Sequence, residues 1–178
     1  MLNLLGKFFT VNSDLQKKKE LRNQFKEYFL SQPEHSWITA DSQVQFHFEM
    51  MLKRLPIGLI EKLFFQHAIV FVPSSEFKNK ELKNYSLKNT VVVFPQFEKL
   101  LRTNKNYAEA YLAHEVAFLV YELEEPVMDP MMAEVEADKF VCDLGLADEL
   151  EQLLLAMDES PEKRLRLTYL TLKAFGLN

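Results

Sequence analysis

A single cysteine, Cys142, in 178 residues leaves no internal disulfide to be formed. The fold therefore rests on its core alone, and a reducing compartment is expected. Cys142 falls within an apolar helical pattern, which fits a buried, inert thiol rather than a nucleophile. Only four glycines are present, too few for the many tight turns of a β-sandwich or barrel. Positive charge is also in short supply, with 21 Lys and Arg against 26 Asp and Glu and a net charge of −5. No basic excess exists to neutralise phosphates, so no nucleic-acid partner is expected. No apolar run approaches the roughly 18 residues of a membrane-crossing helix. The apolar start, Met1 to Phe9, is interrupted by Lys7 and followed by Asn12-Ser13-Asp14 rather than a small-residue cleavage site. Neither a signal peptide nor an integral membrane segment is expected, and a cytoplasmic protein is.

Phenylalanine is abundant: 15 Phe stand beside one Trp, and 48% of the residues are hydrophobic. That composition predicts a dense aromatic, helix-rich core, and the length fits one domain. No repeat, low-complexity tract or Gly/Ser linker divides the chain. It reads as a single domain, 1–178, with N-terminal helices over 1–66 and a core region over 67–178.

Asp14 is expected to cap a helix running to Ser31, with Leu21, Phe25, Tyr28 and Phe29 on one face and Lys17-Lys18-Lys19 on the solvated one. Asp41 or Ser42 caps a second helix to Leu55, and Pro56 begins a third to Phe65. The β-branched and aromatic run Ala68 to Val72 predicts a strand closed by a turn at Pro73-Ser74-Ser75. After a polar stretch from Lys78 to Asn89, Thr90 to Phe94 predicts a second strand. Helices are then expected over Gln96–Leu101, Tyr107–Leu123, Pro130–Leu144, Asp148–Met157 and Pro161–Phe175. Their breaks fall at Asn104 to Asn106, Pro126 to Pro130, Gly145 and Asp158 to Pro161. The fold class is α+β, mainly helical, with a small sheet against the helical body.

Three segments could carry chemistry. His114-Glu115 lies in the middle of the Tyr107–Leu123 helix. A zinc peptidase would place a second His four residues after the first, so that both imidazoles share one metal while the Glu activates its water. Phe118 occupies that position here. In the next helix, Glu134-Val135-Glu136-Ala137-Asp138 sets Glu134 and Asp138 four residues apart on one face, able to point together at His114. Taken alone, the segment is better accounted for by local structure, since acidic residues favour the start of a helix. The last helix opens with Ser160-Pro161-Glu162-Lys163-Arg164-Leu165, a Ser cap followed by Pro at the first helical position.

In this order, the three segments resemble the gluzincin-type zinc metallopeptidases, particularly the CAAX-prenyl protease-like family and its soluble relatives. There, a strand precedes a His-Glu-x-x-His helix, a later helix carries Glu-x-x-Ala-Asp, and a Pro…Arg-Ile/Leu element opens a C-terminal helix. The resemblance covers the chain from Val91 onward. It implies a zincin-like fold with Thr90–Phe94 beside the active-site helix. It also implies His114 and Glu134 as metal ligands, Glu115 as general base or its vestige, Asp138 as the carboxylate orienting an imidazole, and Arg164 as the C-terminal arginine. Phe118 breaks this ligand set, and its ring is expected to pack the space the metal would occupy. The expected cofactor is therefore none, with zinc only if another residue completes the site. Glu122 lies too far along the helix to do so, which leaves His47 or His67.

The leading expectation is a degenerate, non-catalytic zincin-like protein. It would bind a protein or peptide partner in a groove at Val91 and Val93, by strand addition. One alternative is an active zinc metallopeptidase with an unusual third ligand. A second is a helical interaction protein unrelated to peptidases. The sequence carries no signal for oligomeric state.

Overall fold

The computed structural model describes residues 2–77, 89–103, 105–125, 127–174 and 176. It is a mainly helical α+β fold: α1 (Leu2–Ser31), a 3-10 turn (Pro33–His35), α2 (Ser36–Thr39), α3 (Ser42–Arg54), α4 (Ile57–Phe65), β1 (Val70–Pro73), α5 (Ser74–Phe77), β2 (Thr90–Val93), α6 (Pro95–Leu101), α7 (Tyr107–Glu124), α8 (Pro130–Asp143), α9 (Ala147–Ala156) and α10 (Pro161–Ala174). Among the described residues, no helix is long and apolar enough to cross a membrane.

The two strands pair in parallel, with Val70 opposite Thr90 and Pro73 opposite Val93. A parallel pair needs a long connection between its strands. Here that connection contains α5 and the segment 78–88, and the polar loop expected there lies largely outside the described residues. The turn expected at Pro73-Ser74-Ser75 is instead the entry to α5, a single helical turn.

Helix α1 departs from expectation at its start. It runs unbroken from Leu2, with Asp14 inside it rather than capping it. Asn, Ser and Asp are only mildly unfavourable within a helix, costing under about 0.7 kcal/mol each against Ala. Without proline, they do not stop it. The side chains of the apolar start, 2–13, lie outside the described residues. Two short elements over 33–39 had no counterpart in the sequence reading, yet they bury His35, Trp37 and Ile38.

An aromatic cluster fixes the N-terminal half. Phe48 of α3 meets the Phe71 ring of β1 edge-on at 5.0 Å and Phe29 of α1 at 5.7 Å. Trp37 Nε1 donates to Phe71 O at 2.9 Å. His35 ties α1 to the sheet: its Nδ1 lies 2.6 Å from Phe29 O, and its Nε2 accepts from Phe71 N at 2.9 Å. This geometry sets a neutral imidazole with the proton on Nδ1.

Helix α7 is the central element, packed by α3, α6, α8 and α9. Its apolar and small residues surround it on nearly all sides, with Ala110, Ala113 and Ala117 buried. A helix apolar all round belongs in a core. This places His114, halfway along it, inside the molecule.

Candidate functional site

His114 reaches the site from α7, Glu134 and Asp138 from α8, and Arg166 from α10. Local sequence sets the phase of both flanking helices. The Asp129 side chain accepts from Met131 N at 2.9 Å and Met132 N at 3.4 Å, with Pro130 at the first position of α8. Ser160 Oγ accepts from Lys163 N at 3.0 Å at the start of α10. From these starts, Glu134 and Asp138 share the inward face of α8, and Arg166 shares that of α10 with Glu162 four residues before it.

The four side chains form a compact ionic cluster. His114 Nε2 lies 3.0 Å from Glu134 Oε2, and its Nδ1 lies 3.1 Å from Asp138 Oδ1. The Arg166 guanidinium lies across all three partners. Nε donates to Asp138 Oδ2 at 2.8 Å, Nη2 to Asp138 Oδ1 at 2.7 Å, and Nη1 pairs with Glu134 Oε2 at 2.8 Å. Nη2 also stands 3.2 Å from His114 Nδ1. Asp138 is fully enclosed and so receives a two-pronged arginine contact, the strongest geometry available to a buried carboxylate. Glu134 Oε2 is held by charge rather than by well-aligned hydrogen bonds, because its short contacts lie off the hydrogen-bonding line.

The charges sustain one another. Burial pulls the His114 imidazole down, but its close contacts with the Asp138 and then the Glu134 carboxylate outweigh burial and the opposing Arg166 charge, so its pKa is raised. Burial pushes Glu134 and Asp138 up, yet bonding to His114 and the Arg166 charge carry both below the usual carboxylate range. Glu115 behaves differently. Desolvation raises its pKa, and it has no hydrogen-bond or ion-pair partner among the described residues.

The structure thus brings together His114, Glu134 and Asp138, with Glu115 at their edge. Phe118 stands half-buried on the same helix, its ring 6.3 Å from that of His114. The cation bridging the two carboxylates beside the imidazole is the Arg166 guanidinium, where the Phe118 ring was expected to fill the space. Arg164, which the sequence comparison took as the C-terminal arginine, is exposed and faces Glu159 at 3.6 Å. The buried arginine is two residues further on. One signal could have found it: a face of α10 that carries Glu162 and Arg166 four residues apart and also meets two carboxylates.

The residues weighed as substitute ligands lie elsewhere. His47 is buried between helices, its Nε2 2.8 Å from Thr103 O, and His67 is half-buried just after α4. Neither lines the pocket around His114. Glu122 is exposed on α7. Among the described residues, no group of three or more His, Cys, Asp or Glu is arranged to hold a metal ion.

Beside the cluster opens a pocket of about 160 Å³, with Glu115, Glu134, Glu162 and Arg166 among its polar lining and Val92, Phe94, Phe97 and Tyr111 among its apolar lining. The period of two along β2 corrects the expected groove. Val91 and Val93 point into the core, 6% and 0% exposed, so the side chains of Val92 and Phe94 are the ones that face the pocket. Protein-family models, curated proteins and solved structures were compared with the chain, and none matches it.

Proposed function

We propose that this chain is a zincin-like domain in which an arginine takes the place of the metal, and that it works by binding an extended peptide without catalysis. The observation that carries this reading is the position of Arg166, with Nη1 2.8 Å from Glu134 and Nη2 2.7 Å from Asp138. The donors present do not fit zinc, which takes three or four N, S or O ligands in tetrahedral geometry. One imidazole is available, and both its nitrogens already face carboxylates. The second imidazole is replaced by Phe118, and a guanidinium cation lies against the remaining oxygens. A dication and a guanidinium do not share such a site. Without a metal to acidify a water, Glu115 has no nucleophile to activate.

Peptide binding is supported by β2. It pairs with β1 on one side, and no strand pairs its other edge among the described residues. The pocket lies directly beside it. An added strand would gain main-chain hydrogen bonds along β2 and place one side chain in the pocket.

Metal analysis of protein purified without chelators, together with an assay of a broad peptide library, tests the proposal. The expected result is no stoichiometric zinc, binding of extended peptides and no cleavage. Stoichiometric zinc, or cleavage that Glu115→Gln abolishes, would overturn it.

A further inference from the structure

We infer that the pocket beside β2 selects a basic side chain, lysine or arginine, presented by the bound peptide; this rests on the peptide-binding reading above. Size is the first argument. A volume of about 160 Å³ is close to the ~150 Å³ cavity that holds one benzene, and well below the ~300 Å³ at which pockets for larger ligands begin. One side chain fits, whereas a cofactor does not.

Wall chemistry is the second argument. Phe97 and Tyr111 stack with ring centroids 4.1 Å apart and planes 4° from parallel, forming a flat apolar wall that Val92 and Phe94 extend. The polar part of the lining is mainly acidic, with Glu115, Glu134 and Glu162. A ligand matched to both is a long apolar stem ending in a cation, which is the construction of lysine and arginine.

Charge balance is the third. Three carboxylates (Glu115, Glu134 and Glu162) line the pocket and Asp138 lies buried behind it; against these four stand Arg166 and His114, so negative charge is in excess even with His114 counted as protonated. Arg166 is consumed by Asp138 and Glu134, and stands 3.7 Å from Glu162. Glu115 borders the pocket and has no ion-pair partner of its own among the described residues, the charges of His114 and Arg166 reaching it only from a distance. An incoming ammonium or guanidinium supplies one, whereas an acidic or neutral side chain leaves the carboxylate unpaired.

The test uses the full chain and three blocked peptides of one Val/Thr-rich sequence whose central residue is Lys, norleucine or Glu, with affinities read by calorimetry. The Lys peptide is expected to bind at least about ten-fold more tightly than the norleucine peptide, as a charge-assisted contact provides, and the Glu peptide most weakly. Glu115→Gln should shrink the Lys-to-norleucine ratio to within about three-fold. Glu162→Gln, at the half-exposed rim, gives a second reading away from the buried cluster and should reduce the ratio by a smaller factor. Equal binding of Lys and norleucine peptides, or a ratio unchanged in both variants, overturns the basic-residue inference and leaves peptide binding standing. If none of the peptides binds, both readings fail.

Discussion

Arg164 and Arg166 are two positions apart on one helix, and their environments separate them sharply. Arg166 neutralises the fully buried Asp138 and the partly buried Glu134, so Arg166→Met leaves the two carboxylates pressed together with only His114 between them. Removing one partner of a buried ionic network costs about 3–5 kcal/mol, and urea unfolding should show a loss of that size. Arg164→Met should leave the midpoint unchanged, because an exposed pair contributes little. Equal effects of the two substitutions would contradict the cluster. Two of the buried histidines, His35 and His114, make a second, opposed pair. Burial holds the His35 imidazole below its ordinary value against the hydrogen bond to Phe29 O, so the stability it contributes is present above about pH 6.5 and is lost as pH falls toward its folded value. The His114 value is raised, so its contribution is present below about pH 6.5 and is lost as pH rises through the folded value. Glu134 and Asp138, both lowered, add a further loss only below about pH 4. Stability measured across pH should lose its acid-side slope near pH 6 in His35→Asn and its alkaline-side slope in His114→Gln, each slope reaching at most about 1.4 kcal/mol per pH unit. A slope that survives its own substitution would show that the histidine named is not its source.

Elements whose sequence carried a start, a period and a stop were legible in advance. Helix α3 has Asp41 accepting from Gln43 N and Val44 N at 3.0 and 3.2 Å, then an apolar face, then Leu55-Pro56. Helix α8 ends where Gly145 predicted. Gly145 adopts φ +76°, its N–H donates to Cys142 O at 2.9 Å, and Leu146 N donates to Val141 O at 3.2 Å. These bonds, with Val141 and Leu146 buried together, make a Schellman ending. Gly145→Ala should therefore cost about 1–2 kcal/mol, the penalty of left-handed backbone for an L side chain, seen as a lower unfolding midpoint. No loss would mean that α8 ends by other means. What escaped the sequence reading lacked one of these signals. The elements over 33–39 are too short for periodicity, and α1 began early because no residue before Asp14 was strong enough to break it. The site followed the same division. Glu134 and Asp138 were legible because a four-residue spacing fixes a shared face. Arg166 was missed because matching a motif by order, without following helical phase from Ser160, selected the exposed Arg164.

The division of the chain at residue 66 marks a change in local texture, not a seam in the packing. Trp37 and His35 anchor on β1, Arg54 Nε pairs with Glu109 of α7 at 3.0 Å, His47 meets Thr103 O, and α3 packs directly on α7. One apolar cluster runs from Phe25 to Leu154 through both segments. The site depends on that continuity, since α7 carries His114 on its α8 side and rests on the N-terminal helices through α3. A core shared in this way should melt as one unit. The single tryptophan makes this measurable: Trp37 fluorescence reports the N-terminal contact with Phe71, while far-ultraviolet circular dichroism reports all the helices. In urea the two signals should trace one transition with a common midpoint. If Trp37 is released at lower urea than the bulk of the helix is lost, residues 1–66 form a separable layer. The His114 cluster would then stand on α7 to α10 without N-terminal support.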